Sequence, residues 1–179
     1  MIRLILRYGI IGGLIVGVPL YAMTLTPSIQ PGGAWGYVVG YLTMLIGLST
    51  IFIAIKKHRD TDLGGVIKFW PALGLGLGIS FVAGIIYMLA WEAVLDFTHF
   101  DFAGTYAQSM IDAAKAKDLS GAELVKIVAQ AQEFKTEYAN PSIRLTETFM
   151  EIFPVGVLIS LVSAALLRNA RFFAVKRAG

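Results

Sequence analysis

The chain has 179 residues, of which 56% are apolar and 15% charged, with a net charge of +3 and a pI of about 9.2. An average soluble protein has about 45–50% apolar and roughly 25% charged residues, so this composition excludes an ordinary water-soluble domain. No cysteine is present, which removes disulfides and thiol-based metal, redox or nucleophilic chemistry.

The first apolar run, about Leu4–Leu25, follows Arg3 and Arg7. That order resembles a signal peptide. No small-x-small cleavage site closes the run, so a retained first helix is expected. Thr26-Pro27 and Gln30-Pro31-Gly32-Gly33 then read as a turn. A second run, about Trp35–Ile55, contains no charge and ends in Lys56-Lys57-His58-Arg59-Asp60. Asp60 and Asp62 balance neighbouring bases around a Gly64-Gly65 turn; metal ligation with His58 is the lesser reading there. A third run, about Phe69–Leu95, is uncharged until Glu92. A fourth, about Ile143–Leu167, follows Asn140-Pro141 and is uncharged after Glu151. Each run exceeds the ~20 residues that a helix needs to cross a bilayer. The expected fold is therefore an all-α integral membrane protein with four transmembrane helices in one membrane domain, residues 1–179, the lipid bilayer being its first partner.

The segment between the third and fourth runs, about 97–140, has helical rather than membrane character. Phe102, Tyr106, Met110 and Ala113 recur at helical spacing, and Leu124, Ile127, Val128, Ala131, Phe134 and Tyr138 mark one face of a second helix. Ser120 and Glu123 between them read as a capping box. A helical hairpin outside the membrane is expected; closing on itself and on the bundle is the leading reading for its apolar stripe, with the lipid surface or a partner as the alternatives.

Basic residues orient the spans. Arg3, Arg7, Lys56, Lys57, Arg59, Lys68, Arg168, Arg171, Lys176 and Arg177 collect on one side; Lys115, Lys117, Lys126, Lys135 and Arg144 lie on the other. The first set predicts cytoplasmic termini and a periplasmic insert. Of these, Lys56, Lys57, Arg59, Arg168, Arg171, Lys176 and Arg177 are expected on the anionic inner-leaflet surface. Trp35, Tyr37 and Trp91 are expected near the outer interface and Trp70 near the inner one.

Gly9, Gly13 and Gly17, Gly36 and Gly40, and Gly74 and Gly78 repeat at four-residue spacing. Small residues on one face let helix backbones approach closely in lipid, within one chain or between copies. A homo-oligomer or another membrane protein is thus an open partner, whereas nucleic acid is not expected.

Four features resemble one bacterial family: Trp91-Glu92, Asp101-Phe102, Tyr138-Ala139-Asn140-Pro141, and Glu151-Ile152-Phe153-Pro154-Val155-Gly156. The Gly40–Asp60 stretch carries the likeness further. They resemble the membrane-protein family called domain of unknown function 4199. The resemblance implies a small inner-membrane protein of this topology and no assigned activity.

Chemistry concentrates at the outer end of helices three and four. Counting ~1.5 Å per residue back from Arg168 puts Glu151 about 25 Å from the cytoplasmic edge, just inside the outer face of a hydrocarbon core about 30 Å thick. An intramembrane carboxylate is costly and normally faces the bundle interior. Pro154 removes a backbone donor beside it and is expected to kink the helix. Glu92, Asp96 and His99 share a face if helix three continues, as do Glu147 and Glu151 on helix four. Convergence of those faces would make a proton or cation site; histidine with carboxylates also suits a transition metal. Arg144 lies where it can neutralise Glu147 or Glu151 and so opposes a metal, and no metal or cofactor is assigned.

No phosphate loop or His-Glu-x-x-His motif occurs, and Ser49, Ser80, Ser160 and Ser163 lie in apolar helices, where bonding back to carbonyls is their usual role. A non-enzymatic accessory or structural subunit is expected. The alternative is a small proton- or cation-coupled carrier, with a metalloenzyme third.

Overall fold

A computed structural model describes residues 1–26, 29 and 34–174. The turn at Gln30-Pro31-Gly32-Gly33, Pro27, and the tail bases Lys176 and Arg177 lie outside the described residues. The described residues form six α-helices and no strand: α1 Ile2–Thr24, α2 Ala34–Lys57, α3 Phe69–Thr98, α4 Phe102–Ala116, α5 Gly121–Tyr138 and α6 Pro141–Leu167. Four of them, α1, α2, α3 and α6, are long and apolar enough to cross a membrane. Their outward faces carry Leu14, Val18, Leu42, Ile46, Phe81, Leu89, Leu158 and Val162, all exposed. Such an apolar surface is tolerated in lipid and not in water. Length, composition and this apolar surface together suggest a membrane protein.

Close contacts at small residues set the helix directions. A Cβ on Gly9, Gly13 or Gly17 would meet Val82, Ile86 or Ala90 respectively, so α1 and α3 run parallel. Gly12 and Gly47 meet backbone to backbone, and the Thr50 hydroxyl donates to the Tyr8 carbonyl at 3.4 Å, so α2 runs antiparallel to α1. Across α3 and α6, Ser160 packs over Gly76 and Ser80 over Gly156. Each serine donates to the glycine carbonyl one turn back on its own helix, as expected from sequence, and the two hydroxyls also meet at 3.1 Å. With lipid supplying no hydrophobic drive between helices, such small-residue interlocks carry the packing. Gly78 packs on Ile5, but nothing lies within 4 Å of a Cβ on Gly40 or Gly74. Those two therefore do no packing inside the chain.

A π-helical turn, His58–Asp62, prolongs α2. The turn after it uses Gly64 at φ 66° and Gly65 at φ 95°, a backbone region that side chains disfavour. Arg59 was expected on the membrane surface, but it is fully buried, at 0% exposure. It bonds Asp60 at 2.6 Å and donates to the carbonyls of Leu167, Phe172 and Phe173 at 3.4, 2.9 and 3.0 Å. The last carbonyls of a helix have no partner within it; this guanidinium supplies one at the end of α6. Lys57, Arg168 and Arg171 are exposed, and Lys56 is half-buried against Asp60 at 2.6 Å.

At the opposite end, α4 and α5 pack on one another and on the bundle. Asp101 caps α4 by accepting from the Gly104 amide at 2.8 Å, and Asn140 caps α6 by accepting from Ser142 at 3.0 Å, ahead of Pro141 in the first turn. The expected capping box on α5 does not form. Ser120 holds the N-cap position, but its side chain makes no cap bond. Gly121 just after it sits at φ 59°, off the helical backbone on which that bond geometry depends.

Candidate functional site

At about 1.5 Å per residue, the 30-residue α3 is about 45 Å long and outruns a hydrocarbon core of about 30 Å. Its last two turns meet the α4–α5 pair. Trp91 is buried at this junction, where its indole Nε1 donates to the Tyr138 hydroxyl at 2.7 Å. Burial pushes that phenol up to about 12, so it stays protonated at any ordinary pH. Phe102 meets Trp91 edge-on at 5.3 Å and lies 5.2 Å from Tyr138, while Tyr106 lies 4.7 Å from Phe134. Aromatic pairs at such spacings add to simple area burial.

Arg144 fastens the same junction. Its Nε and Nη2 donate to the two Glu92 carboxylate oxygens at 2.7 and 2.6 Å. A third bond runs to the Tyr138 carbonyl at 3.3 Å, and the guanidinium lies 5.8 Å from the Tyr138 ring centre. The two-pronged geometry is the strong form of an arginine–carboxylate pair. Both side chains keep some solvent, at 19% and 28% exposure, which limits what the pair contributes. Arg144→Ala should therefore cost roughly 1 kcal/mol and speed proteolysis between α4 and α5. The charge-swapped double variant Glu92→Arg/Arg144→Glu should recover part of that protection; if Arg144→Ala is cut no faster than the parent, the clamp is idle.

Under the α4–α5 pair lies a cavity of about 260 Å³. Tyr37 and Tyr41 from α2 and Tyr87 from α3 form its sides; Phe102, Tyr106, Phe134 and Tyr138 border it from α4 and α5. Trp91, Glu147 and Glu151 complete its chemistry, and among the described residues no lysine, arginine or histidine lines it. Glu151 fronts this space, its Oε2 accepting from the Tyr87 hydroxyl at 3.0 Å. Tyr87 itself is buried, so the donor holds one carboxylate oxygen in place. Pro154 sits one turn on, within a helix that continues to Leu167.

The acidic residues thus part into two places. Glu147 and Glu151 face the cavity, whereas Glu92, Asp96 and His99 line a separate crevice with Asp101, Lys135 and Arg144. α3 ends at Thr98, and His99 turns away in a left-handed conformation at φ 51°. The shared face expected of Glu92, Asp96 and His99 therefore stops one residue short. Among the described residues no three histidine, aspartate or glutamate side chains come together as a metal site would require. Arg144 neutralises Glu92, not Glu147 or Glu151, which leaves the cavity acids without a cation.

Sequence reasoning missed Tyr37, Tyr41 and Tyr87 as cavity residues. A signal was available: Tyr37 and Tyr41, like Tyr87 and Trp91, are four apart, the spacing that stacks side chains on one helix face.

No curated protein and no solved structure matches the chain. A family model does, over residues 7–169, and with nearly the whole chain covered, this all-helical protein belongs to the family described as protein of unknown function DUF4199.

Proposed function

We propose that the chain is a small bacterial inner-membrane carrier that admits a cation from the periplasmic side into the Glu151 cavity. The observation that carries this reading is a cavity among the long apolar helices that holds two carboxylates and, among the described residues, no basic lining residue. Ionisable groups inside a bundle are expensive, and their usual role is on an ion or substrate path. Orientation rests on the basic residues: Arg3, Arg7, Lys57 and Arg168 lie at the bundle end away from the cavity, the end that the positive-inside rule assigns to the cytoplasm. That puts α4 and α5 in the periplasm as a hairpin over the cavity.

Proteoliposomes loaded with a pH- or sodium-sensitive dye test the reading. Wild-type protein should dissipate an imposed gradient, and Glu151→Gln, which keeps the shape and removes the charge, should slow it by about tenfold or more, equivalent to about 1.4 kcal/mol on the barrier. Equal rates for the two proteins would refute the carrier.

A second reading, an accessory subunit that binds another membrane protein or a second copy, is favoured by one observation. Gly74 is exposed with nothing packed on it, the kind of surface that a partner helix uses in lipid. Gly74→Leu should then abolish co-purification of a partner or a dimer cross-link, while leaving Glu151-dependent flux unchanged.

A further inference from the structure

We infer that the occupant of the cavity beneath α4 and α5 is a small organic ammonium ion with an apolar body. The inference rests on the carrier reading and narrows its cation to a chemical class. Three observations converge on it.

The first is charge. Glu151 accepts a single hydrogen bond, from Tyr87, and Arg144, the nearest basic residue in sequence, is engaged two-pronged by Glu92 in the neighbouring crevice. Glu147 and Glu151 are exposed at the open side of the cavity, and a neutral solute seated against them would cover two carboxylates without supplying a counter-charge.

The second is the rest of the wall. Alongside the two acids stand tyrosines from α2 and α3, Trp91, and the aromatic residues of α4 and α5. Aromatic faces attract cations, and rings gathered around one space are the recognised means of holding an ammonium group whose own substituents are apolar. A bare metal ion asks for something else: several oxygen or nitrogen ligands converging at short distance. The described residues offer no such convergence.

The third is size. At about 260 Å³ the cavity falls just below the range of about 300–1,000 Å³ typical of drug-sized ligands. It is much larger than a desolvated metal ion needs, and it suits an amine carrying one ring or a short branched chain.

The test is isothermal titration of the full-length chain in a non-ionic detergent with 2-phenylethylammonium and with its neutral counterpart, 2-phenylethanol. These differ in charge and scarcely in shape. The ammonium should bind saturably and at least about tenfold more tightly than the alcohol, and Glu151→Gln should erase most of that preference; tenfold corresponds to about 1.4 kcal/mol. Tyr41→Leu removes a ring while leaving both acids, and should weaken the ammonium more than the alcohol. It keeps the test decisive if Glu151→Gln fails to fold. Equal affinities for the two probes would overturn the inference. Failure of the ammonium to bind, while proteoliposomes still show Glu151-dependent sodium or proton flux, would overturn the ligand class and leave the carrier standing. Loss of both binding and flux in the wild-type chain would overturn the two together.

Discussion

Arg59→Met should destabilise the protein by about 3 kcal/mol, at the lower end of what removing one partner from a buried ion pair costs. The side chain is fully buried, pairs with Asp60, and reaches three carbonyls beyond and at the end of α6. Methionine fills much of the volume but donates nothing, so those carbonyls lose their donor in a place that water reaches poorly. The loss stays at the lower end because Lys56 still holds Asp60 at 2.6 Å. Arg59→Lys should recover little: a single ammonium cannot reproduce a planar fork with donors in several directions. Thermal unfolding in detergent checks the size of the effect. Protease sensitivity just after Leu167 checks its place, since the Phe172–Phe173 segment is anchored there by the same guanidinium. A melting shift under about 2 °C, which for a chain of this length is less than 1 kcal/mol, would show that the buried arginine does not hold this end of the bundle together.

Arg59 also illustrates what was not legible in the sequence. Counting bases near helix ends reports which side of the membrane a loop occupies, and for Lys57, Arg168 and Arg171 it also reports exposure. It carries no information about a contact across more than a hundred residues, and Arg59 bonds Phe172 and Phe173. The four long apolar helices were legible because lipid imposes a one-dimensional rule: a backbone with no water must satisfy itself by coiling, over a length set by bilayer thickness. The expected runs begin or end within a few residues of α1, α3 and α6, while α2 runs on into the π-helical turn. The acidic cluster was half legible. Spacing along a helix states only which side chains share a face. Which face meets which is decided by helix crossing, and that crossing sends Glu92 to Arg144 and Glu151 to Tyr87.

Glycine shows the same division. On α1 the four-residue repeat picks out Gly9, Gly13 and Gly17, and all three meet α3. On α3 the run Gly74-Leu-Gly76-Leu-Gly78 places glycines two residues apart, about 200° around the helix. Such a run cannot say which side is packed. The structure puts Ser160 against Gly76 and Ile5 against Gly78, and leaves Gly74 open. Gly12, Gly47, Gly84 and Gly156 also make tight contacts, yet none stood out without a known partner helix.

That division yields the second large effect. Gly13→Leu should destabilise the chain by at least about 1–3 kcal/mol, the usual cost of overpacking a close-packed interior. A Cβ at this position would stand 2.5 Å from the Ile86 Cβ and 2.9 Å from the Ala83 carbonyl oxygen. Both belong to or adjoin the α3 backbone, so no side-chain rotation relieves the clash; α1 and α3 must separate. Since α3 also carries Tyr87, Trp91 and Glu92, a displaced α3 should disturb the cavity as well as the melt. Gly74→Leu, on the same helix α3 but with nothing within 4 Å of the new Cβ, is the matched control. It should leave the detergent melt of the isolated chain unchanged and act only where a partner helix is bound. If Gly13→Leu and Gly74→Leu melt alike, close approach of α1 and α3 is not what holds the bundle in register.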